Sequence, residues 1–501
     1  MRKASLVLMV VTILAKVFGL LREKTLATFF GASATADVFL VAFALPMVLT
    51  NLLTGAIGTG FIPLYDDLKR SRGKDRADLF MANLVNVLGV MFLIVAVVAV
   101  IGARPLVHMM APGLSGANFE QCVQMSRFAL ASIAVTALAS VFRAYLQIHG
   151  HFIVSVAHPM VMNVFLMGTM ALGRYAHRDL MGPGIFLAFV LQYVIFLPAL
   201  RKTSYHHRVL CDTRDVHLRR MVQMILPVLV STAVIELNYL INKALASTVF
   251  DGGISAMNYA SRLMDFVTSI VITSIVTVTF PRMSAAFAEG DLPGFGREMR
   301  ESIALMSLLV IPAAVGLAVF AEPIVSLLFR GGAFGERDVL ITGQVLFAYA
   351  IGVVGLGFRE ILSRAYYAQG RLRLPMLNSV LMVLVNVTLS VMLRRPLGLE
   401  GLALATSISL YVGAFIFAAD LWRKGLRLGT HTSKNLGKIL VASLLMGGLG
   451  LVLQRHLPIG GNLGLLVSIA LCALAYGVVL IALRVEEVKI LFELMQKRRR
   501  A

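Results

Sequence analysis

Residues 15–43 read AKVFGLLREKTLATFFGASATADVFLVAF, and they connect the end of one apolar run to the start of the next. The stretch carries five charged side chains, which are Lys16, Arg22, Glu23, Lys24 and Asp37. A charged side chain at the centre of a bilayer costs about 2.5–3.5 kcal/mol on insertion scales, so charges that stay there usually face a polar cavity or one another. The stretch therefore predicts two membrane helices with a polar environment beside them.

The whole chain has the composition of a polytopic membrane protein. Of its 501 residues, 58% are hydrophobic and 14% are charged, and the mean hydropathy is +0.84, which excludes a water-soluble globular protein. Runs of about 17–25 apolar residues are long enough to cross a bilayer as helices. Fourteen such runs predict an all-α fold with transmembrane helices at roughly 5–21, 36–60, 79–103, 124–146, 153–173, 182–200, 222–247, 257–280, 302–321, 339–363, 375–393, 401–421, 437–454 and 464–484. The first run resembles a signal peptide, but Lys16 interrupts it and no clean cleavage site follows, so we expect a membrane helix there.

The net charge of +20 indicates topology rather than nucleic-acid binding. Basic residues cluster in short loops between apolar runs and do not form one basic domain, so no nucleic-acid partner is expected. The clusters at 69–76, 201–220 and 423–438 and the tail at 497–500 fall on one side of the membrane if the number of spans is even. Because basic loops stay in the cytoplasm, both termini are predicted to be cytoplasmic.

An internal repeat divides the chain. The sequence RAYLQIHG, which begins at Arg143, resembles RAYYAQG, which begins at Arg364, an offset of 221 residues. Two copies of a six-helix unit fit the first twelve predicted spans, as parallel repeats would. We therefore predict two pseudo-symmetric lobes, 1–215 and 216–430, followed by 431–501 with two more helices and a basic cytoplasmic tail.

Charged residues in or beside the apolar runs are the first candidate site. Lys16 and Asp37 lie in the first two spans, and Arg22 follows the first span directly. Arg262 and Asp265 lie three residues apart in the eighth. One interpretation is structural: Arg22, Glu23 and Lys24 form an interfacial charged cluster, Asp37 starts a helix, and Lys16 snorkels. Arg262 and Asp265 then form a plain ion pair. The other is a central cationic cavity, in which the acids hold the cations in place and an anion such as a diphosphate binds.

Polar residues in the seventh and eleventh spans are a second candidate set. They are Glu236, Asn238, Asn242, Asn378 and Asn386. Such groups can coordinate a monovalent coupling cation, or they can join helices by hydrogen bonds, which is the commoner use. Both interpretations remain open, and no other cofactor is expected.

Enzyme chemistry has little support in the sequence. No Walker A, GxSxG, HExxH or CxxC motif is present, and three scattered cysteines provide neither a disulfide framework nor a metal site. Transport by conformational change is the remaining function class. A multidrug antiporter would need an aromatic and acidic cavity for organic cations, which the basic residues oppose. A membrane transferase acting on polyprenyl diphosphates would need loop acids for a metal ion.

Several motifs together resemble one transporter family. They are VFGLLREKTLATFFGASATADVFLVAFALP at 17–46, FIPLY at 61–65, APGLSG at 111–116, NYASRLMDF at 258–266, RGGAFGERD at 330–338, LSRAYYAQGRLRLP at 362–375, NVTLS at 386–390 and GLALATS at 401–407. In this order they resemble the MurJ (MviN) family, the lipid II flippases of the multidrug/oligosaccharidyl-lipid/polysaccharide (MOP) exporter superfamily.

The resemblance implies a function and a setting. A protein of this kind moves undecaprenyl-diphosphate-linked peptidoglycan precursor from the inner to the outer leaflet of the bacterial cytoplasmic membrane by alternating access. It implies a central cationic cavity, a tail groove at the final helix pair, and a monomer that associates with cell-wall synthesis proteins. Lys16 stands where the family usually has an arginine. The counterparts of Arg22, Asp37 and Arg262 are the same residues in the family, and Asp265 replaces the usual glutamate.

The chain also departs from the family pattern. Thr50, Asn51 and Gly55 stand where the family typically has an Arg pair and then a Glu. The acidic cation ligand of the seventh helix falls near Asn242, which is neutral and argues against sodium coupling. These departures leave two substrates open, which are lipid II and another polyprenyl-diphosphate-linked glycan.

Overall fold

The computed structural model describes residues 2–203, 205–426, 429–456 and 461–485. Within these ranges the regular structure is helical, apart from one isolated bridge between Gly331 and Phe334. The first helices are α1 (Arg2–Phe30), α2 (Ala34–Arg72), α3 (Lys74–Ile101), α4 (Ala103–Met110), α5 (Gly116–Ala131), α6 (Ile133–Ile148), α7 (Phe152–Tyr175), α8 (Met181–Leu191), α9 (Phe196–Lys202) and α10 (Val216–Ser247). The later helices are α11 (Gly253–Ala288), α12 (Leu292–Val319), α13 (Ala321–Phe329), α14 (Glu336–Ala368), α15 (Arg373–Arg423), α16 (Gly429–His456) and α17 (Gly461–Ala482).

The predicted all-α membrane fold is confirmed. Twelve helical segments in the described residues are long and apolar enough to cross a membrane. The predicted first span lies on α1, and a kink at Gly398, where φ is 57°, divides α15 between the eleventh and twelfth predicted spans. These two features account for the fourteen predicted spans.

One predicted loop is wrong in detail. Lys69, Arg70 and Arg72 lie in the last turns of α2, which continues well beyond the predicted end at residue 60. Apolar length predicts only the part of a helix that the bilayer covers, and a helix can continue into water with charged residues. The chain turns at Gly73, whose φ of 82° suits glycine, and α3 begins at once.

Two compact units make up the structure. Unit 1 comprises residues up to 255 together with Gly331–Gly335, and unit 2 comprises 256–330 and the residues from 336 onward. In unit 1, α1 packs against α7, and α2 packs against α5, α6 and α10. In unit 2, α14 packs against α12 and α15, and α16 packs against α12 and α17. The predicted lobes rest on the sequence repeat and stay a prediction, and residues 486–501 of the predicted third segment lie outside the described residues.

A short segment far along the chain belongs to unit 1. The backbone N–H of Ala333 donates to the carbonyl of Thr28 at 2.8 Å. Gly332 has a φ of 58°, and a Cβ there would lie 2.2 Å from that same carbonyl oxygen. Only glycine fits so close to the end of α1.

The connection between α9 and α10 is tied to α3 by two asparagines. The amide of Asn83 donates to the Asp212 carbonyl at 2.9 Å and accepts from the Asp212 N–H at 2.7 Å. Asn86 donates to the carbonyls of Arg208 and Leu210, each at 2.9 Å. Irregular backbone groups need partners, and these side chains supply them.

Each copy of the RAY repeat places a tyrosine beside an aspartate. In unit 1, Tyr145 donates to Asp78 at 3.4 Å. In unit 2, Tyr366 donates to Asp420 at 2.5 Å. The two tyrosines occupy equivalent repeat positions, while the aspartates come from different parts of each unit.

Candidate functional site

Arg22 lies in the interior of unit 1 and has three partners. It is 7% exposed and forms an ion pair with Glu23. Its Nη1 atom lies 3.3 Å from Oδ1 of Asn163 on α7. Its guanidinium carbon lies 4.6 Å from the ring centre of Phe43 on α2. The charge is therefore met by a carboxylate, an amide and an aromatic face, which suits a buried guanidinium.

Glu23 is a buried partner of Arg22 that the sequence did not identify. The sequence places it in an interfacial charged cluster, whereas in the structure it is only 1% exposed. Helix geometry gave no signal, because adjacent residues on a helix do not normally face each other. The interpretation of Glu23 as a surface residue is wrong, since its carboxylate neutralises Arg22 in the interior.

Lys16 has a different environment from Arg22, although both belong to α1. Its side chain is exposed. Lys16 is thus an accessible cation, whereas Arg22 is a buried one. A role of either residue in substrate binding stays a prediction.

Asp37 binds backbone amides rather than cations. It is 1% exposed, and its two carboxylate oxygens accept from the N–H groups of Gly252 at 2.8 Å and Ser255 at 2.7 Å. Gly252 immediately precedes α11 and Ser255 lies in its first turn, so the carboxylate caps the positive end of that helix. The sequence predicts that Asp37 contacts Lys16 or Arg22. In the structure its carboxylate oxygens accept from backbone amides at the α10–α11 turn instead.

Lys243 on α10 is a buried cation close to the same turn. It is 7% exposed, and its Nζ donates to the carbonyl of Leu40 at 3.2 Å. The ammonium also lies 4.9 Å from the ring centre of Tyr239. The position of Lys243 in a polar seventh span is the only sequence signal that marks it.

Asn51 and Glu236 meet within unit 1. The Asn51 amide donates to Oε1 of Glu236 at 3.0 Å, joining α2 to α10. Thr50 instead donates to the Pro46 carbonyl of its own helix at 2.9 Å. Oδ1 of Asn238 is buried without a hydrogen-bond partner in the described residues. The structure therefore brings a half-buried carboxylate to one of the positions at which the chain departs from the family pattern.

Arg262 and Asp265 form the predicted i, i+3 pair in unit 2. Their closest nitrogen–oxygen distance is 3.9 Å, and their side chains are 42% and 62% exposed. A contact this long between accessible groups contributes little to stability. The side chain of Arg262 is therefore partly exposed within unit 2.

Asn378 and Asn386 join the two halves of α15. Asn378 donates to the Gly413 carbonyl at 2.8 Å, and Asn386 donates to the Thr406 hydroxyl at 3.0 Å. Both bonds cross the kink at Gly398, as expected for polar residues that connect membrane helices. Oδ1 of Asn378 is buried without a partner among the described residues. Coordination of a monovalent cation stays a prediction, as does any such role for Asn242.

A further charged cluster on α14 was also missed. Arg359 lies 3.0 Å from Glu360 and donates to the Ser379 hydroxyl at 3.2 Å, and Arg364 lies 3.5 Å from Glu360. These side chains are 19–35% exposed. One acid serves two arginines, so the cluster keeps a net positive charge within a membrane-spanning helix of unit 2.

Comparison with known protein families shows to which family the chain belongs. The family described as Lipid II flippase MurJ matches residues 26–471, which is most of the chain. The chain belongs to the MurJ family. A probable lipid II flippase MurJ of Vibrio cholerae serotype O1 is 26% identical over 517 aligned positions, covering 97% of both chains.

Solved structures show the same fold. A lipid II flippase MurJ in an inward closed conformation matches with a TM-score of 0.83 and 22% identity, covering 96% of this chain and 99% of that one. An inward-facing MATE-family multidrug transporter of the MOP superfamily matches with a TM-score of 0.68 and 15% identity, covering 84% of this chain and 98% of that one. The MurJ resemblance inferred from the motifs is therefore confirmed, and so is the MOP fold.

Metal chemistry has no cluster to support it in the ranges that the structure describes. No group of three or more His, Cys, Asp or Glu side chains is arranged there to hold a metal ion. For this MurJ family member, the accessible cations Lys16 and Arg262 and the interior groups Arg22, Glu23, Asp37 and Lys243 are the chemistry on which a function can be built.

Proposed function

We propose that this protein is a lipid II flippase. It moves the undecaprenyl-diphosphate-linked peptidoglycan precursor from the inner to the outer leaflet of the membrane by alternating access. The observation that carries the proposal is the MurJ family match over residues 26–471. The MurJ-like fold and the membrane-spanning helices support a transporter.

The accessible cations support an anionic substrate headgroup. Lys16 on α1 is exposed, and the Arg262 side chain on α11 is 42% exposed. An arginine can bind a diphosphate through two parallel hydrogen bonds, and a lysine adds a point charge. Each unit thus offers an accessible positive charge on a membrane helix.

A cavity in unit 2 suits the lipid tail. Its volume is about 820 Å³, and its lining comes from α12, α14, α15 and α16. Its lining is mainly apolar and includes Phe358, Phe415 and Trp422, and Lys434 contributes a charged side chain. A long polyprenyl chain needs such an apolar surface, and a lysine can meet the phosphate to which the chain is attached.

The location and orientation of the protein are part of the proposal. We infer that the protein lies in the bacterial cytoplasmic membrane with both termini in the cytoplasm, because an even number of spans puts its basic clusters on one side. We further propose that it acts as a monomer and associates with cell-wall synthesis proteins. A coupling cation would use the carboxamides of α15.

A second substrate is favoured by one contact. Asn51 stands where the MurJ family typically has an arginine, and it binds the carboxylate of Glu236. The wall of unit 1 is therefore less positive at this point than in typical relatives. Another polyprenyl-diphosphate-linked glycan is the alternative that this contact supports.

Complementation tests the proposal. The resident lipid II flippase of a bacterium is depleted while this protein or its Arg262→Ala variant is expressed. We expect growth to be rescued by the wild-type chain and lost with Arg262→Ala at equal membrane levels. Failure of the wild-type chain despite normal membrane expression would reject lipid II and favour the second substrate.

A further inference from the structure

Unit 1 contains a cavity that none of the predicted site residues line. Its volume is about 690 Å³. It is formed by the end of α3, the middle and last turns of α5, a 3₁₀ turn at Arg178–Leu180 and the start of α8. Val100, Met125, Phe128, Leu180 and Pro183 provide apolar walls. We refer to it as the α5–α8 cavity.

Two opposite charges line the α5–α8 cavity. Arg127 of α5 and Asp179 of the 3₁₀ turn both contribute to the lining, together with Gln121 and Gln124. Both charged side chains are exposed, and neither has an ion-pair partner in the part of the chain that the structure describes. Two opposite charges beside one apolar cavity, neither neutralised by the protein, are complementary to a ligand that carries both charges.

The position of the cavity matches the edge of a bilayer. Val100 is the penultimate residue of α3, and Asp179 lies just before α8. Val100 lies near the end of the third predicted span, and Asp179 lies in the connection after the fifth, so both lie toward the same side of the membrane. Charged headgroups and the first carbons of acyl chains meet at this depth.

We propose that the α5–α8 cavity binds a membrane phospholipid whose headgroup carries both a phosphodiester and a primary ammonium group, as in phosphatidylethanolamine. Arg127 meets the phosphate with charge-assisted hydrogen bonds, and Asp179 accepts from the ammonium. The two glutamines add donors and acceptors, and an acyl chain lies on the apolar walls. This binding is independent of the flippase proposal.

The α5–α8 cavity should distinguish lipids by their headgroups. Phosphatidylglycerol has the phosphate but no ammonium group, so Asp179 would face it as an unpaired like charge. Phosphatidylcholine keeps the positive charge but has no N–H donor for the Asp179 carboxylate. The cavity should therefore prefer phosphatidylethanolamine to both.

Native mass spectrometry of the full-length protein in detergent tests this binding. The delipidated protein is titrated with phosphatidylethanolamine, phosphatidylcholine and phosphatidylglycerol, each in turn. We expect phosphatidylethanolamine to bind about tenfold more tightly than the other two, as one charge-assisted contact would provide. Arg127→Ala should lower its affinity about tenfold, and Asp179→Asn should remove the preference over phosphatidylglycerol.

Two further variants separate this cavity from general effects of charge or folding. Ala131→Trp fills the cavity while keeping both charges, and it should abolish the selective binding. Arg104→Ala removes an exposed arginine of α4, which pairs with Glu120 outside the cavity lining, and it should leave lipid binding unchanged. Equal binding of the three lipids, or a preference that survives Arg127→Ala, Asp179→Asn and Ala131→Trp, would overturn the proposal.

Discussion

The carboxylate of Asp37 holds the backbone amide of Ser255, with 2.7 Å between Oδ1 and the nitrogen and 218 residues of sequence between them. The second oxygen accepts from the Gly252 N–H at 2.8 Å. Gly252 itself has a φ of 100°, and a Cβ there would lie 2.1 Å from the Ala32 carbonyl oxygen. The start of α2 therefore packs against the turn before α11, where the Asp37 carboxylate binds two amides and Gly252 allows a close approach to the Ala32 carbonyl.

Asp37→Ala should lower the stability of the protein. The change leaves two buried N–H groups without acceptors, and each such group costs about 1–3 kcal/mol. Asp37→Asn keeps one acceptor and should lose less. Thermal unfolding in detergent measures both effects, and an Asp37→Ala variant as stable as wild type would contradict the capping role.

Arg22 and Glu23 should behave as a coupled pair. Removing one partner of a buried ion pair costs about 3–5 kcal/mol, because a charge is left alone in the interior. Arg22→Met and Glu23→Gln should each be strongly destabilising, and the double variant should be less destabilising than the sum. A double-mutant cycle on unfolding free energies measures the coupling, and strict additivity would show that the pair does not act as a unit.

Lys16 should affect transport without affecting stability. Its side chain is exposed, so Lys16→Ala removes no interior contact. We expect transport to fall about tenfold, as for one lost charge-assisted contact, and Lys16→Arg to retain it. Lys202→Ala, which removes an exposed lysine at the end of α9, is the matched control. Normal transport by Lys16→Ala would exclude this lysine from the substrate path.

The α9–α10 connection should loosen when its asparagines are removed. Asn86→Ala deletes the bonds to the carbonyls of Arg208 and Leu210, and local opening should become more frequent. Trypsin should then cleave after Arg208 and Arg214 about tenfold faster, since two hydrogen bonds are lost. Asn386→Ala is the matched control, because it removes an asparagine hydrogen bond to Thr406 within α15 of unit 2. Unchanged cleavage would mean that other contacts hold the connection.

The membrane helices could be predicted because burial in a bilayer has a simple sequence signature. Apolar length alone located the predicted spans, including the two halves of α15 on either side of Gly398. The same signal could not show that α2 continues to Arg72, because water-exposed turns of a helix need not be apolar.

The contacts within the candidate site could not be predicted from the sequence, because they join residues that are distant along the chain. Arg22 and Asp37 were identified as unusual charges, but their partners Asn163 and Ser255 lie far along the chain. No periodicity connects such pairs. Glu23 was misjudged for a different reason, since its own neighbour in sequence supplies its partner.

The most direct test is a leaflet-resolved measurement of lipid II. Cells in which this protein is the sole lipid II flippase are exposed to an external enzyme that cleaves only lipid II in the outer leaflet. We predict that most lipid II becomes cleavable with the wild-type chain and stays protected with Arg262→Ala at equal expression. Lipid II that stays protected with the wild-type chain would contradict the assignment.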